Sequence, residues 1–255
     1  MKLVIDIGNS NVVVGLNKDG TWLHIWRFKT DKQAKALDYG IKLLNVLWDA
    51  GISVEQISYK ILSTVVPELK EEFIKMLNNL NEAPTMIMER ENFPALNISI
   101  PAADEIGTDL VANALAVHNL YQTNAIIIDF GTALTFTVVN KVGQILGVNI
   151  APGLKTAMNA LGDKTSQLDS VPLVLPDYPL GTNTETAIQN GVLLGYIGLI
   201  SYMIQQIKQV FDEEYQVIVT GGLVNVLKDR LPQIDLVVPN LTLDGLVLLP
   251  QFIKP

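Results

Sequence analysis

The sequence predicts an α/β fold made of two duplicated halves with a cleft between them. Three observations carry this. Residues 3–20 read LVIDIGNSNVVVGLNKDG and residues 126–143 read IIIDFGTALTFTVVNKVG, so Asp6 falls on Asp129, Gly8 on Gly131, Asn17 on Asn140, Lys18 on Lys141 and Gly20 on Gly143. Each copy opens a run of three strand-like segments, after which helical and strand-like patterns alternate. Of 255 residues 49% are apolar, enough for a sizeable core in each half. Internal similarity at so long an offset does not fit a solenoid; it fits two related domains.

The elements follow in order. In the first half, strands are expected at about 2–7, 11–17 and 21–29, then a helix at about 33–50. A strand at 58–64, a helix at about 67–79 and a strand at 84–88 come next. From Asp109 to Tyr121 the apolar residues Leu110, Ala114, Val117 and Tyr121 recur at helical spacing. The second half opens with strands at 125–130, 134–140 and 144–151. Helices at about 153–162 and 183–210 flank a Pro-rich stretch, 171–182, read as a surface loop. A strand at 215–220 ends in Thr220-Gly221-Gly222, with a helix from near Leu223. A strand at 235–238 and a helix from about 242 close the chain. The expected domains are 1–121 and 122–255. Three strands followed by alternating helix and strand, given twice, is the ribonuclease-H-like plan of the actin, hexokinase and Hsp70 group.

Composition narrows the function. A net charge of −8 without any run of Lys or Arg excludes a basic nucleic-acid footprint. The absence of cysteine rules out disulfides, thiolate metal sites and a cysteine nucleophile. MKLVIDIGNS has no signal-peptide pattern, because Asp6 cuts its apolar run. The longest apolar stretch, Gly191 to Ile204, is about 14 residues and too short to span a bilayer. No membrane segment is expected, and a cytoplasmic location is. His24 and His118 lack companions at ligand spacing, so no zinc site is expected. Trp22, Trp26 and Trp48 are expected to pack. Gly191, Gly195 and Gly198 line one side of the long helix, and both core packing and a dimer seam fit them.

The repeated Asp-x-Gly turn has a chemical use. Glycine lets backbone N–H groups approach a phosphate, because it has no Cβ. The hydroxyls of Ser10, Thr132 and Thr135 add donors. Asp6 and Asp129 repel phosphate but can hold the cation that accompanies it. A hairpin turn alone would also favour Asp and Gly; two matching copies favour the phosphate reading.

Six motifs then occur in a family's order: Asp6-Ile7-Gly8-Asn9-Ser10-Asn11, Gly107-Thr108-Asp109, Asp129-Phe130-Gly131-Thr132-Ala133, Ile150-Ala151-Pro152-Gly153-Leu154, Asn183-Thr184 with Gly191, and Thr220-Gly221-Gly222. Together they resemble type III pantothenate kinase, also called the Bvg accessory factor family, over nearly the whole chain as far as 241–246. The resemblance implies ATP-dependent phosphorylation of pantothenate, the first step towards coenzyme A, in a homodimer. It implies that Asp6, Ile7, Gly8, Asn9, Ser10, Asn11 and Val12 line the ATP phosphates with Mg²⁺. It makes Asp109 the general base, and places Gly107, Thr108, Leu110 and Thr184 on the pantothenate side. Asp129 resembles the ligand of a monovalent cation, K⁺ or NH₄⁺. Gly131 and Thr132 resemble ATP contacts, and Gly221 and Gly222 the backbone beside adenosine.

The departures cluster on the acid-substrate side. The family carries Gly-x-Asp-Arg, and this chain has Leu110 in place of the arginine that is expected to face the pantothenate carboxylate. A planar cation pairs bidentately with a carboxylate and leucine does not. Thr137 stands where the family has Asp, Gly147-Val148-Asn149 where it has paired glycines, and 93–98 lacks its Gly-Val-Lys-Thr-Gly pattern. The alternative is therefore a kinase for another small alcohol, or a non-catalytic nucleotide-binding or regulatory paralogue.

Overall fold

The computed structural model describes residues 1–162 and 171–254. The chain forms two compact units: residues 1–120 together with 241–255, and residues 121–240.

In the first unit, β1 (Lys2–Ile7), β2 (Asn11–Lys18) and β3 (Thr21–Lys29) form an antiparallel meander. β4 (Tyr59–Thr64) lies parallel to β1, and β5 (Thr85–Met88) parallel to β4, giving the order β3-β2-β1-β4-β5. One face of this sheet, with Leu3, Ile5, Ile7, Val12, Val14 and Leu62, packs on α1 (Ala36–Asp49) and α2 (Pro67–Asn78) through Tyr39, Leu43, Phe73 and Leu77. α1 starts three residues later than its apolar pattern predicts, because Asp38 Oδ2 accepts the Lys35 amide at 2.8 Å and fixes the N-terminus there. Lys60, on that same face, is buried. Its Nζ donates to the carbonyls of Leu77 and Asn81, 2.7 Å each, so a cation closes the C-terminus of α2.

α3 (Thr108–Ala116) continues into a π-helical turn, Val117–Tyr121. Every residue from Leu110 to Ala116 is buried, the signature of a core helix. The last helix, α7 (Leu241–Leu246), packs closely on α3 and on β1. Residues 241–255 were expected in the second domain and belong to the first unit. The cause is a fitted contact. Gly245 lies so close to the Ala112 carbonyl group that a Cβ would come 2.6 Å from its carbon. The Thr242 hydroxyl donates to Asn113 Oδ1 at 2.9 Å. Trp22 Nε1 donates to Asp244 Oδ1 at 2.6 Å, and the Trp22 ring lies 2.5 Å from where a Cβ on Gly15 would be.

The second unit repeats the plan. β6 (Ala125–Phe130), β7 (Ala133–Val139) and β8 (Ile145–Pro152) form the meander, with β9 (Gln216–Thr220) parallel to β6 and the short β10 (Leu236–Val237) parallel to β9. The order β10-β9-β6-β7-β8 is the first sheet's order read backwards. Gly20 and Gly143, matched in the repeat, both take positive φ (87° and 82°) at the tip of the second hairpin of each meander. Ile126, Ile128, Phe130, Phe136 and Val219 pack on α4 (Leu154–Gly162) and on α5 (Thr184–Lys208), which contributes Leu193, Ile200 and Ile204. At 25 residues α5 is long and apolar enough to cross a bilayer, longer than the stretch of about 14 residues read from the sequence; one face, with Leu193, Ile200 and Ile204, packs into the core of its unit, and a third of its apolar window is buried. A four-residue helix, α6 (Val224–Leu227), follows β9.

Two expectations fail on burial. Trp48 is 84% exposed rather than packed, because the core face of α1 is taken by Tyr39, Leu43 and Leu47. Gly191, Gly195 and Gly198 meet nothing at their Cβ positions and are exposed, so core packing within the unit does not explain them. The 171–182 segment is indeed a mostly exposed loop, held by Gln189 Nε2 to the Pro172 carbonyl and Asn190 Nδ2 to the Tyr178 carbonyl.

Leu43 is 2% exposed in the first core. Leu43→Ala is expected to lower the unfolding free energy by about 2–5 kcal/mol, read as a fall in the urea midpoint at unchanged slope.

Candidate active site

In the first unit, the residues of interest gather at the carboxyl ends of β1 and β4, where ligands bind in open α/β sheets. Asp6 is the register partner of Ser63, so the two share a face of the sheet. Ser63 is fully buried and its hydroxyl lies 3.0 Å from the Thr108 hydroxyl. Thr108 also donates to the Thr64 carbonyl at 3.4 Å. These bonds fasten the first turn of α3 to the end of β4.

Asp109 sits in that first turn. Its Oδ1 accepts the Leu110 amide at 2.9 Å. Gly107 leaves the space for this, since a Cβ there would collide with Oδ1. Burial pushes the Asp109 carboxyl above the ordinary aspartate value, against the opposing pull of the backbone N–H groups. Among the described residues no Lys, Arg or His forms an ion pair with it. Asp109 thus both caps the helix and presents a poorly solvated carboxylate, which is a stronger base than an exposed one.

The β1–β2 turn is tightly closed. The Gly8 amide donates to the Asn11 carbonyl at 2.9 Å. Thr30, just past β3, clamps it from outside: Oγ1 donates to the Gly8 carbonyl at 2.7 Å and the Thr30 amide to the Ser10 carbonyl at 3.0 Å. Asn9, Ser10 and Asn11 are exposed. Ile7 and Val12, assigned to the phosphates, have fully buried side chains, because they pair with each other across the hairpin on the core face. Only their backbone could meet a ligand.

In the second unit, Asp129 lies between Thr135 on β7 and Thr220 on β9 as register partner of both, so three oxygen-bearing side chains share one face. Thr135 Oγ1 is buried without a hydrogen-bond partner among the described residues. The Gly131 amide donates to the Ala133 carbonyl at 3.1 Å. Two further glycines close on this hairpin. The Gly153 amide donates to the Thr132 carbonyl at 3.0 Å, beside the Thr156 hydroxyl at 2.7 Å, and a Cβ on Gly153 would strike the 131–132 backbone. Gly221 has φ +99°, and a Cβ there would lie 2.6 Å from both Asp129 Oδ1 and the Phe130 nitrogen. Gly222 is open. The Tyr196 hydroxyl of α5 donates to the Pro152 carbonyl at 2.6 Å. Thr184 is the exposed first residue of α5, after an Asn183 cap whose Oδ1 accepts the Thr186 amide.

Sequence reasoning missed Thr30, Ser63 and Thr156. Isolated hydroxyl residues carry no local signal, and only the sheet register brings them to the turns. It placed Leu110 on the substrate; the residue is buried, 5% exposed. No cluster of three or more His, Cys, Asp or Glu side chains able to hold a metal occurs among the described residues.

The type III pantothenate kinase family model matches residues 2–206, most of the chain. The chain belongs to the type III pantothenate kinase family. Membership places it among nucleotide-using kinases. Solved structures share the fold at low identity. A conserved Campylobacter jejuni protein described as a Baf-family transcriptional activator matches at TM-score 0.59 and 18% identity, covering 98% of this chain and 97% of that one. The activator of 2-hydroxyisocaproyl-CoA dehydratase from Clostridium difficile, solved with ADPNP, matches at 0.57 and 11% over 100% and 98%. The ethanolamine utilization protein EutJ from Carboxydothermus hydrogenoformans matches at 0.55 and 15% over 97% and 89%. This pantothenate kinase family member thus shares its two-sheet α/β fold with these proteins over nearly the whole chain.

The raised Asp109 carboxyl fixes a pH dependence. The folded state disfavours ionisation, so stability falls as pH rises from the ordinary aspartate value, about 3.9, through the raised value, and the cost is fully present above it. Asp109→Asn is expected to raise the thermal midpoint at pH 7, with the gain vanishing near pH 3. Gly221→Ala is expected to destabilise the second unit by about 1–3 kcal/mol or more from backbone strain, measured by urea unfolding.

Proposed function

We propose that the protein transfers the γ-phosphoryl group of ATP to the primary hydroxyl of pantothenate, giving 4'-phosphopantothenate. The observation that carries this is the Asp109 carboxyl, desolvated at the N-terminus of α3 in a chain of this family. Asp109 takes the hydroxyl proton, the alcohol oxygen bonds to the γ-phosphorus, and the bond from that phosphorus to the β–γ bridging oxygen breaks to release ADP. Such transfer needs positioning and charge neutralisation more than covalent chemistry. The closed turn at Gly8 to Asn11 offers exposed backbone and side-chain donors to phosphate, and Asp6 would bind Mg²⁺ accompanying it. The Gly131–Thr132 turn is its counterpart, with Gly221 and Gly222 beside adenosine. Gly107 and Thr108 flank the pantothenate hydroxyl, and Thr184 is a further pantothenate contact.

The oxygen set of Asp129, Thr135 and Thr220 fits a hard monovalent cation, K⁺ or NH₄⁺, and the unpartnered Thr135 hydroxyl supports the fit. When bound, the two cations supply neutralisation of the phosphate charges. A homodimer through α5 would cover Gly191, Leu194, Gly195, Gly198 and Tyr202, all exposed. The second reading is a kinase for a neutral alcohol or a nucleotide-binding paralogue. It draws on Leu110, which is buried and apolar where a carboxylate would need a cation.

ADP release from ATP with Mg²⁺ and K⁺ is expected to require millimolar pantothenate and to be lost in Asp109→Asn. Without the arginine, a Michaelis constant for pantothenate about a hundredfold above that of arginine-containing relatives is expected, from about 2–3 kcal/mol of lost binding. Tight ATP binding with no pantothenate-dependent turnover would contradict the proposal in favour of the second reading.

A further inference from the structure

Asp109 is only as well placed as α3, and α3 is nine residues long. So short a helix does not set its own position; tertiary contacts do. Its N-terminus is tied to β4 by Ser63 and Thr108. One turn on, the contacts come from the far end of the chain. Asn113, four residues after Asp109 and fully buried, accepts the Thr242 hydroxyl at 2.9 Å. At Ala112 the backbone of α3 rests directly against Gly245, where no Cβ can fit.

α7 is itself held on its other side. Asp244 accepts the Trp22 indole N–H at 2.6 Å, and Leu243 lies 3.0 Å from where a Cβ on Gly15 would sit. Lys2 Nζ reaches the Val247 carbonyl at 3.2 Å. α7 is thus wedged between the sheet that carries Asp6 and the helix that carries Asp109. The family match ends at residue 206, well before it.

We propose that Thr242 and Gly245 are positioning residues for catalysis: they seat α3 so that Asp109 meets the substrate hydroxyl. The proposal rests on the reaction put forward above. In-line transfer tolerates little misplacement, and an error near 1 Å can cost on the order of a hundredfold in rate. A Cβ at 245 would force a shift of that order.

The test compares Thr242→Val, Thr242→Ser and Gly245→Ala with the wild type at 25 °C. Leu43→Ala serves as a control that loosens the first unit from the opposite face of the sheet. Two readouts are taken: kcat and KM with ATP and pantothenate, and hydrogen exchange of the 109–116 amides in ATP-free protein. Thr242→Val and Gly245→Ala are expected to lower kcat roughly tenfold to a hundredfold, with KM for ATP within about twofold of the wild type. Exchange in α3 accelerates in both. Thr242→Ser restores kcat and slow exchange, and Leu43→Ala retains kcat. Wild-type kcat and exchange in Thr242→Val and Gly245→Ala would overturn the proposal, as would an equal kcat loss in Leu43→Ala. If the wild type shows no pantothenate-dependent turnover, the reaction fails, and unchanged exchange in the variants would separately overturn the seating of α3.

Discussion

The poor solvation of one carboxylate is the constraint on which the first unit turns. A buried charge without a cationic partner costs free energy that the rest of the fold must offset. Asp109 comes close to this: it is partly buried, desolvation raises its carboxyl, and among the described residues no cation pairs with it. Its environment is built to keep it in place. Gly107 makes room for it, the Leu110 amide donates to its Oδ1, and Ser63 holds Thr108. A helix buried from Leu110 to Ala116 gives the assembly rigidity. Desolvation of this kind also makes a carboxylate more basic.

The second unit solves a related problem with backbone rather than charge. Gly153 and Gly221 bring two further segments against the β6–β7 hairpin so closely that neither could carry a side chain. The first unit closes its matching hairpin differently, through Thr30. The two halves keep the same strand order but have diverged in how the turn is secured.

Much of this was legible in the sequence. Apolar runs, glycine-ended turns and the internal repeat located the strands found among the described residues, because those signals are local and strong. Among the glycines singled out in the sequence, Gly221 does take a backbone that a side chain would strain, with φ +99°. What failed was non-local. Nothing in LTLDGL says which sheet a six-residue helix will join; the Gly245 contact with Ala112 decides it. Ile7 and Val12 were assigned to the phosphates by resemblance but lie on core strands, and alternation takes their side chains inward. Trp48 is exposed because α1 has a second apolar stripe, Leu37, Ile41 and Leu44, which periodicity alone cannot assign to core or surface. Leu110 was legible as a departure, but its burial depended on the packing of α3.

The most direct test is the product. Purified protein is incubated with ATP, Mg²⁺, K⁺ and equal amounts of pantothenate and its neutral analogue pantothenol, and the mixture is resolved by mass spectrometry. Phosphorylated pantothenate formed by the wild type and absent with Asp109→Asn is the predicted result. Phosphorylated pantothenol alone, or no phosphorylated product while ATP remains bound, would contradict it.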